Sequence, residues 1–289
     1  MKDFEYTRPN DLDEALVLLG NLREGAKIIA GGTDLVPLMR EDLVTPSHVI
    51  DISNLPDLDF IKEEKGLIRI GAATRMRTIE QSPIVKAKIP LLAETAQLVG
   101  EIGVRNIATI GGNLVNASPA ADSAPPLLTL GASVKIRKLK TERTIKLQEF
   151  FVHVKKTVLQ PDELMTEVQI PIPPPRSGGF FIRLAKRGGN IISIVSSAAF
   201  LALKGNVCSQ ARIAMGSVAP TPIRIPDAEK VLEGAEPTEE RIQTAAEKVL
   251  GSIKPISDVR ASAEYRKETS KILVKRSLEE ALKRARSGS

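Results

Sequence analysis

The sequence predicts an α+β fold in three lobes, 1–54, 55–174 and 175–289. Three observations carry this expectation. The chain opens on a strand-helix-strand pattern, a cluster of Pro and Gly at 171–179 interrupts any ladder or helix, and the remainder passes from strand-like runs to helical periodicity. At 289 residues the chain exceeds a single domain of about 100–150 residues, so more than one core is expected.

In the first lobe, residues 4–6 read as a short strand. Asn10 or Asp11 is the expected N-cap of a helix carrying Leu12, Ala15, Leu16 and Leu19 on one face, with Glu14 placed to answer the cap. Gly20 and Gly25 mark its exit, and 26–30 return as a buried strand ending at Gly31-Gly32. Thr33 and Asp34 are expected to cap the next helix, with Pro37 near its start, and 48–52 close the lobe as a strand.

In the second lobe, 60–62 and 67–71 predict a hairpin with a charged tip. Thr74 is the expected cap of 76–81, and Pro90 opens a longer helix over 91–99. Val104-Arg105-Asn106 leads into a second glycine pair, and Arg105 is either a surface flank or a support for that loop. Residues 133–137 and 144–147 pair across a polar turn, Phe150, Phe151 and Val152 read as core, and a last strand runs to Ile170.

Beyond the Pro/Gly cluster, 180–184, 191–203 and 207–218 are three strands joined by short Gly/Asn turns, one of them Gly188-Gly189-Asn190. Helices are then expected over 228–232, 239–250 and 263–284, with 287–289 frayed. The last helix is rich in Lys and Arg. Its charged face is either solvated or a docking surface for another subunit.

Composition excludes several classes. No apolar run approaches the ~20 residues of a membrane span, so a cytoplasmic protein is expected. The single cysteine, Cys208, cannot form an intrachain disulfide or supply the four ligands of an iron–sulfur cluster. His48 and His153 stand isolated and are given no role, so no metal site is expected. With no Trp and 3% aromatic residues, a stacking surface for single-stranded nucleic acid is not expected either. The formal charge of +6 is spread among acids, which reads as solvated surface and complementarity to an acidic partner.

The chemistry concentrates in KIIAGGTDL, residues 27–35, and TIGGNLVNASPAAD, residues 109–122. Each sets two glycines between an apolar lead-in and a polar tail. Paired glycines bend tightly and let backbone N–H groups approach an anion with no Cβ in the way. Either pair alone is also the ordinary mark of a turn after a strand. Together they can close on one pyrophosphate from two sides. Asp122 is either an acceptor for sugar-chain hydroxyls or a cap for a helix at 127–130. No GxxxxGK[ST], GxGxxG, nucleophile elbow or zinc-protease helix occurs. The chain is equipped to hold a cofactor rather than to attack a substrate.

AGGTDLVPLM and TIGGNLVNASPAAD resemble the paired flavin-binding signatures of the FAD-binding medium subunit of the molybdenum hydroxylases. That family includes carbon monoxide dehydrogenase, xanthine dehydrogenase and aldehyde oxidoreductases, and the resemblance runs over nearly the whole chain. It implies a two-lobed FAD-binding domain of the vanillyl-alcohol oxidase (PCMH) type. A C-terminal α+β domain with a three-stranded antiparallel sheet and helices follows.

FAD is the implied cofactor. The first loop would bind it through Ile28, Ile29, Ala30, Gly31, Gly32, Thr33, Asp34 and Leu35, and the second through Thr109, Ile110, Gly111, Gly112 and Asn113. Asp122 would face the ribityl side, and Leu164 would contribute backbone. Arg183 stands where relatives often carry Lys, and a cation there would favour a reduced, anionic flavin. No catalytic residue is implied. Relatives commonly have Asp soon after an RLAKR-like segment; this chain has Asn190-Ile191, so that carboxylate's role does not carry over.

The implied partners are a small iron–sulfur subunit with two 2Fe–2S clusters and a large molybdopterin subunit, in a dimer of heterotrimers. Electrons would run from molybdenum through the clusters and FAD to an external acceptor; NAD, a quinone, ferredoxin and oxygen all serve among relatives. Two rival readings stay open on sequence: a self-contained flavin oxidoreductase, and a non-catalytic scaffold whose glycines are only turns.

Overall fold

The computed structural model describes residues 1–186 and 192–287. The first lobe comprises β1 (Glu5–Thr7), α1 (Leu12–Leu22), β2 (Ala26–Ile29), α2 (Leu35–Arg40) and β3 (His48–Asp51). Its sheet is parallel, in the order β1-β3-β2. Asp11 caps α1, accepting from the Glu14 N–H at 2.8 Å, and Glu14 accepts from the Asn10 N–H at 2.7 Å. Leu12, Ala15, Leu16 and Leu19 are buried as their spacing predicts. Because β2 and β3 are parallel, the Gly31-Gly32 bend leaves the carboxyl edge of the sheet, where open parallel sheets gather ligands. Asp34 does occupy the N-cap position of α2, but its side chain makes no capping hydrogen bond.

The second lobe begins with the hairpin of β4 (Ile61–Glu64) and β5 (Leu67–Gly71), whose Lys65 and Gly66 both have positive φ, as a tight two-residue connection requires. Short helices follow: α3 (Met76–Gln81), α4 (Pro83–Lys88), α5 (Pro90–Leu98), α6 (Ile102–Arg105), α7 (Ile110–Val115) and α8 (Ala124–Thr129). Then come β6 (Ser133–Lys138), β7 (Thr141–Lys146), the small pair β8 (Phe151–His153) and β9 (Lys156–Thr157), and β10 (Leu164–Pro171). The strands order as β4-β5-β10-β6-β7, all antiparallel, so the last strand closes the sheet from its middle. Ile68, Ile70, Val134, Ile136, Val168 and Ile170 share a core with Met76, Ile79, Leu92 and Leu127 of the helices. Two expectations need correction. The Thr74 hydroxyl ties to the Phe60 backbone rather than capping α3, and Val152 is exposed although Phe150 is fully buried.

The C-terminal domain carries β11 (Ser177–Leu184), β12 (Val195–Lys204), β13 (Val207–Gly216), β14 (Ile223–Arg224), α9 (Pro226–Glu229), α10 (Glu239–Lys248) and α11 (Ala263–Ser287). The three expected long strands form an antiparallel sheet, and β14 adds an edge strand too short to leave a period-2 signature. The expected turn at Gly188-Gly189-Asn190 lies outside the described residues. Every residue of β12 except Lys204 is buried. The reason is that Ala198, Phe200 and Ala202 enter the second lobe's core, while Val195, Ala199 and Leu201 pack with Leu273, Val274 and Leu278 of α11. A sheet covered on both faces loses the alternation of a half-exposed one.

Candidate cofactor site

The first glycine segment meets, backbone to backbone, the residues that lead directly into the second. A Cβ built on Gly31 would lie 2.1 Å from the Ile107 carbonyl oxygen and 2.9 Å from the Ala108 Cα. Gly32 has φ of +69°, the left-handed conformation that turns the chain into α2. The second pair is not the bend the sequence suggests. Gly111 and Gly112 sit in the first turn of α7, where the Thr109 hydroxyl caps the helix by accepting from the Gly112 N–H at 3.1 Å. A Cβ on Gly111 would stand 2.6 Å from the Ala72 carbonyl oxygen, so α7 starts flush against the end of β5. These glycines serve close packing of backbone. Tertiary contact here overrides the low helix propensity that made TIGGN look like a turn.

Between the two segments lies a cleft of about 530 Å³. Its walls include Ile28, Ile29, Ala30, Gly31, Gly32, Thr33, Asp34 and Leu35 from the first segment, and Thr109, Gly111, Gly112 and Asn113 from the second, with Leu164 at the start of β10. Ile110 is the exception, fully buried in the second lobe's core. Sequence reasoning missed Leu38, Leu43 and Met165 on the apolar side, and Lys155 and Glu163 on the polar side. Asn116 was visible as part of the polar tail. Lys155 and Leu43 sit in connections with no periodic or motif signal.

The two walls differ in what they can donate. In the second segment the N–H groups are spent inside the protein: Ile110 on Thr74 O at 3.0 Å, Gly111 on Ala72 O at 2.8 Å, Gly112 on the Thr109 hydroxyl, and Asn113 on Thr109 O at 3.0 Å. In the first segment, among the described residues, the N–H groups of Gly32, Thr33 and Asp34 have no protein acceptor. Backbone N–H donors for an anion therefore stand on one side of the cleft, not on both.

Charge in the cleft is arranged with care for its acids. Asp34 accepts from the Asn116 amide at 2.7 Å, and the same amide's oxygen accepts from Lys155 Nζ at 2.7 Å. Glu163 is gripped by Arg143 at 3.0 and 2.8 Å. Burial pushes the Glu163 carboxyl up, but Arg143 and the Gln160 N–H outweigh it and hold it low.

Asp122 and Arg183 do not line this cleft. Arg183 donates to Asp122 at 2.6 Å, and the Ser193 hydroxyl donates to the other carboxylate oxygen at 2.6 Å. Burial raises the Asp122 pKa, opposed by Arg183 and Ser193. The carboxylate does not cap α8, whose N-cap is Ser123; it joins the second lobe to the C-terminal domain. Arg105 is no surface flank, and its printed bonds do not reach the second glycine pair: it donates to Glu80 at 3.0 Å and to the Gly100 carbonyl at 3.1 Å, tying α6 to α3. Asn190 and Ile191, where relatives differ, lie outside the described residues.

The cleft fits FAD on this chain's own features. Its volume is in the range of ordinary ligand sites, unspent N–H donors cluster at a parallel-sheet edge, and aliphatic side chains flank them. Among the described residues, no group of three or more His, Cys, Asp or Glu is placed to hold a metal ion, and no helix is long and apolar enough to cross a membrane.

Comparison with known proteins shows the family. Residues 2–173 match the family described as the FAD binding domain in molybdopterin dehydrogenase, and 180–281 match the CO dehydrogenase flavoprotein C-terminal domain. The carbon monoxide dehydrogenase medium chain of Hydrogenophaga pseudoflava is 34% identical over 96% of each chain. The glyceraldehyde dehydrogenase medium chain of Sulfolobus acidocaldarius is 32% identical over 96% of this chain and 98% of its own. Among solved structures, carbon monoxide dehydrogenase from Hydrogenophaga pseudoflava aligns with a TM-score of 0.95 at 35% identity over 98% of each chain. Quinoline 2-oxidoreductase from Pseudomonas putida aligns at 0.92 and 31% identity over 99% of each chain. With its glycine-lined cleft and two matched domains in order, the chain belongs to the FAD-binding medium subunits of the molybdenum hydroxylases, and is an oxidoreductase subunit.

Proposed function

We propose that this subunit works in the cytoplasm beside a small subunit bearing two 2Fe–2S clusters and a large molybdopterin subunit, in a dimer of heterotrimers. Bound FAD supplies the redox chemistry, accepting electrons from the clusters and releasing them to an external acceptor. The chain's own task is to hold and orient. The Gly32, Thr33 and Asp34 N–H groups and the Thr33 hydroxyl would take the diphosphate. The second segment would form the opposite wall, and Leu164 would add backbone. Asp122 and Arg183, paired beside the C-terminal domain, would serve the ribityl and ring end.

The observation that carries this reading is the seam between Gly31 and Ile107, which sets unspent donors at the edge of a cleft of about 530 Å³. Purification of the chain from its native cells should bring down an iron–sulfur protein and a molybdopterin protein. Turnover of an organic substrate by the FAD-loaded chain alone would contradict the proposal and support a self-contained flavin oxidoreductase.

A further inference from the structure

We propose that Lys155 is the cation that offsets part of the charge on the diphosphate of the bound dinucleotide, held in place by Asn116; this rests on the FAD reading of the cleft. Four observations lead there. The second wall has spent its N–H groups, so any attraction it offers an anion must come from a side chain. Lys155 lines the cleft, and its Nζ donates at 2.7 Å to a neutral amide; among the described residues no carboxylate pairs with it.

That amide belongs to Asn116, which simultaneously occupies Asp34, the carboxylate that follows the first glycine segment. One side chain thus engages the acid and fixes the base, both of which line the cleft. Finally, the backbone is bent to achieve this. Ala117 and Lys155 both adopt left-handed conformations, with φ of 47° and 58°, and the Lys155 N–H donates to the Ala117 carbonyl at 2.9 Å. Non-glycine residues in this region carry strain that persists where surrounding structure imposes it, often at ligand sites. Lys27, the other lysine on the cleft wall, lies on β2 before the glycine bend and lacks this scaffold.

Lys155 is exposed, so its contribution is a screened point charge and depends on salt. The test uses the full chain freed of flavin and titrated with FAD and with riboflavin, which lacks phosphate. At low ionic strength, Lys155→Met should weaken FAD binding about three- to fivefold, the upper range of an exposed charge pair, and leave riboflavin and the melting temperature unchanged. The gap should narrow at high salt, where the Debye length falls to about 3 Å, and Lys155→Arg should restore most of the affinity. Equal FAD affinity for wild type and Lys155→Met at low salt would overturn the proposal, as would a loss indifferent to salt and to Arg. Failure of the wild type to bind FAD at all would overturn the cofactor reading itself.

Discussion

Gly31 and Ile107 touch backbone to backbone, so closely that a methyl on Gly31 would stand 2.1 Å from the Ile107 carbonyl oxygen. The obstacle is main chain, so no rotamer change relieves it. Gly31→Ala should push the first lobe away from the second, at a cost of about 1–3 kcal/mol typical of overpacking, and lower Tm by several degrees. Gly103→Ala, inside α6 with nothing within 4 Å of the new Cβ, is the control expected to hold or slightly raise Tm. Thermal unfolding of the two variants checks this.

The Asp122–Arg183 pair is nearly closed to solvent, with side-chain exposures of 7% and 11%. Asp122→Ala removes a carboxylate that both Arg183 and Ser193 address, and should cost about 3–5 kcal/mol, as breaking a buried pair does. Asp122→Asn keeps an acceptor for Ser193 and should cost less. Urea unfolding ranks them; equal stability of Asp122→Ala and wild type would show the pair does not hold the domains together.

Asp51, at the end of β3, accepts from the Tyr6 hydroxyl, Arg8 and the Ser53 N–H. Burial pushes its carboxyl up, yet these donors outweigh burial and hold it at about 2. A carboxyl lowered on folding adds stability that is fully present above its unfolded pKa of about 4. That stability is lost as pH falls through the folded value. The Tm advantage of wild type over Asp51→Asn should therefore hold from pH 7 to 4 and shrink between 4 and 2. An advantage independent of pH over that window would rule out the charge as its source.

Cys208 is fully buried at the start of β13, and burial pushes its thiol up to about 11, with the nearby Glu233 adding to the rise. Reactivity requires the thiolate. Ellman's reagent at pH 8 should leave the native protein unmodified and label one thiol only after unfolding. Rapid labelling of the folded chain would contradict the burial.

What could be read from the sequence follows from how local each signal is. The α1 cap, the hairpin at Lys65-Gly66 and the buried stripe of Leu12, Ala15, Leu16 and Leu19 depend on neighbours a few residues away, and all were visible. Both glycine pairs stood out as well, but their purpose did not. Gly111 is small because Ala72 is there, and Gly31 because Ile107 is there, contacts made only after the lobes assemble. The same limit hid the role of Asp122, whose partners Arg183 and Ser193 lie 61 and 71 residues away. Lys155 had no signature, since a lone lysine in a short turn looks like any surface charge until Asn116 is brought beside it.

The central claim is that the seam of the two glycine segments forms the FAD site. Fluorescence titration of the flavin-free chain with FAD tests it most directly. Wild type and Gly103→Ala should each bind one equivalent of FAD with matching affinity, and Gly31→Ala, which parts the seam, should bind at least a hundredfold more weakly, roughly the factor that about 2.7 kcal/mol represents. Undiminished binding by Gly31→Ala would place the flavin elsewhere in the protein.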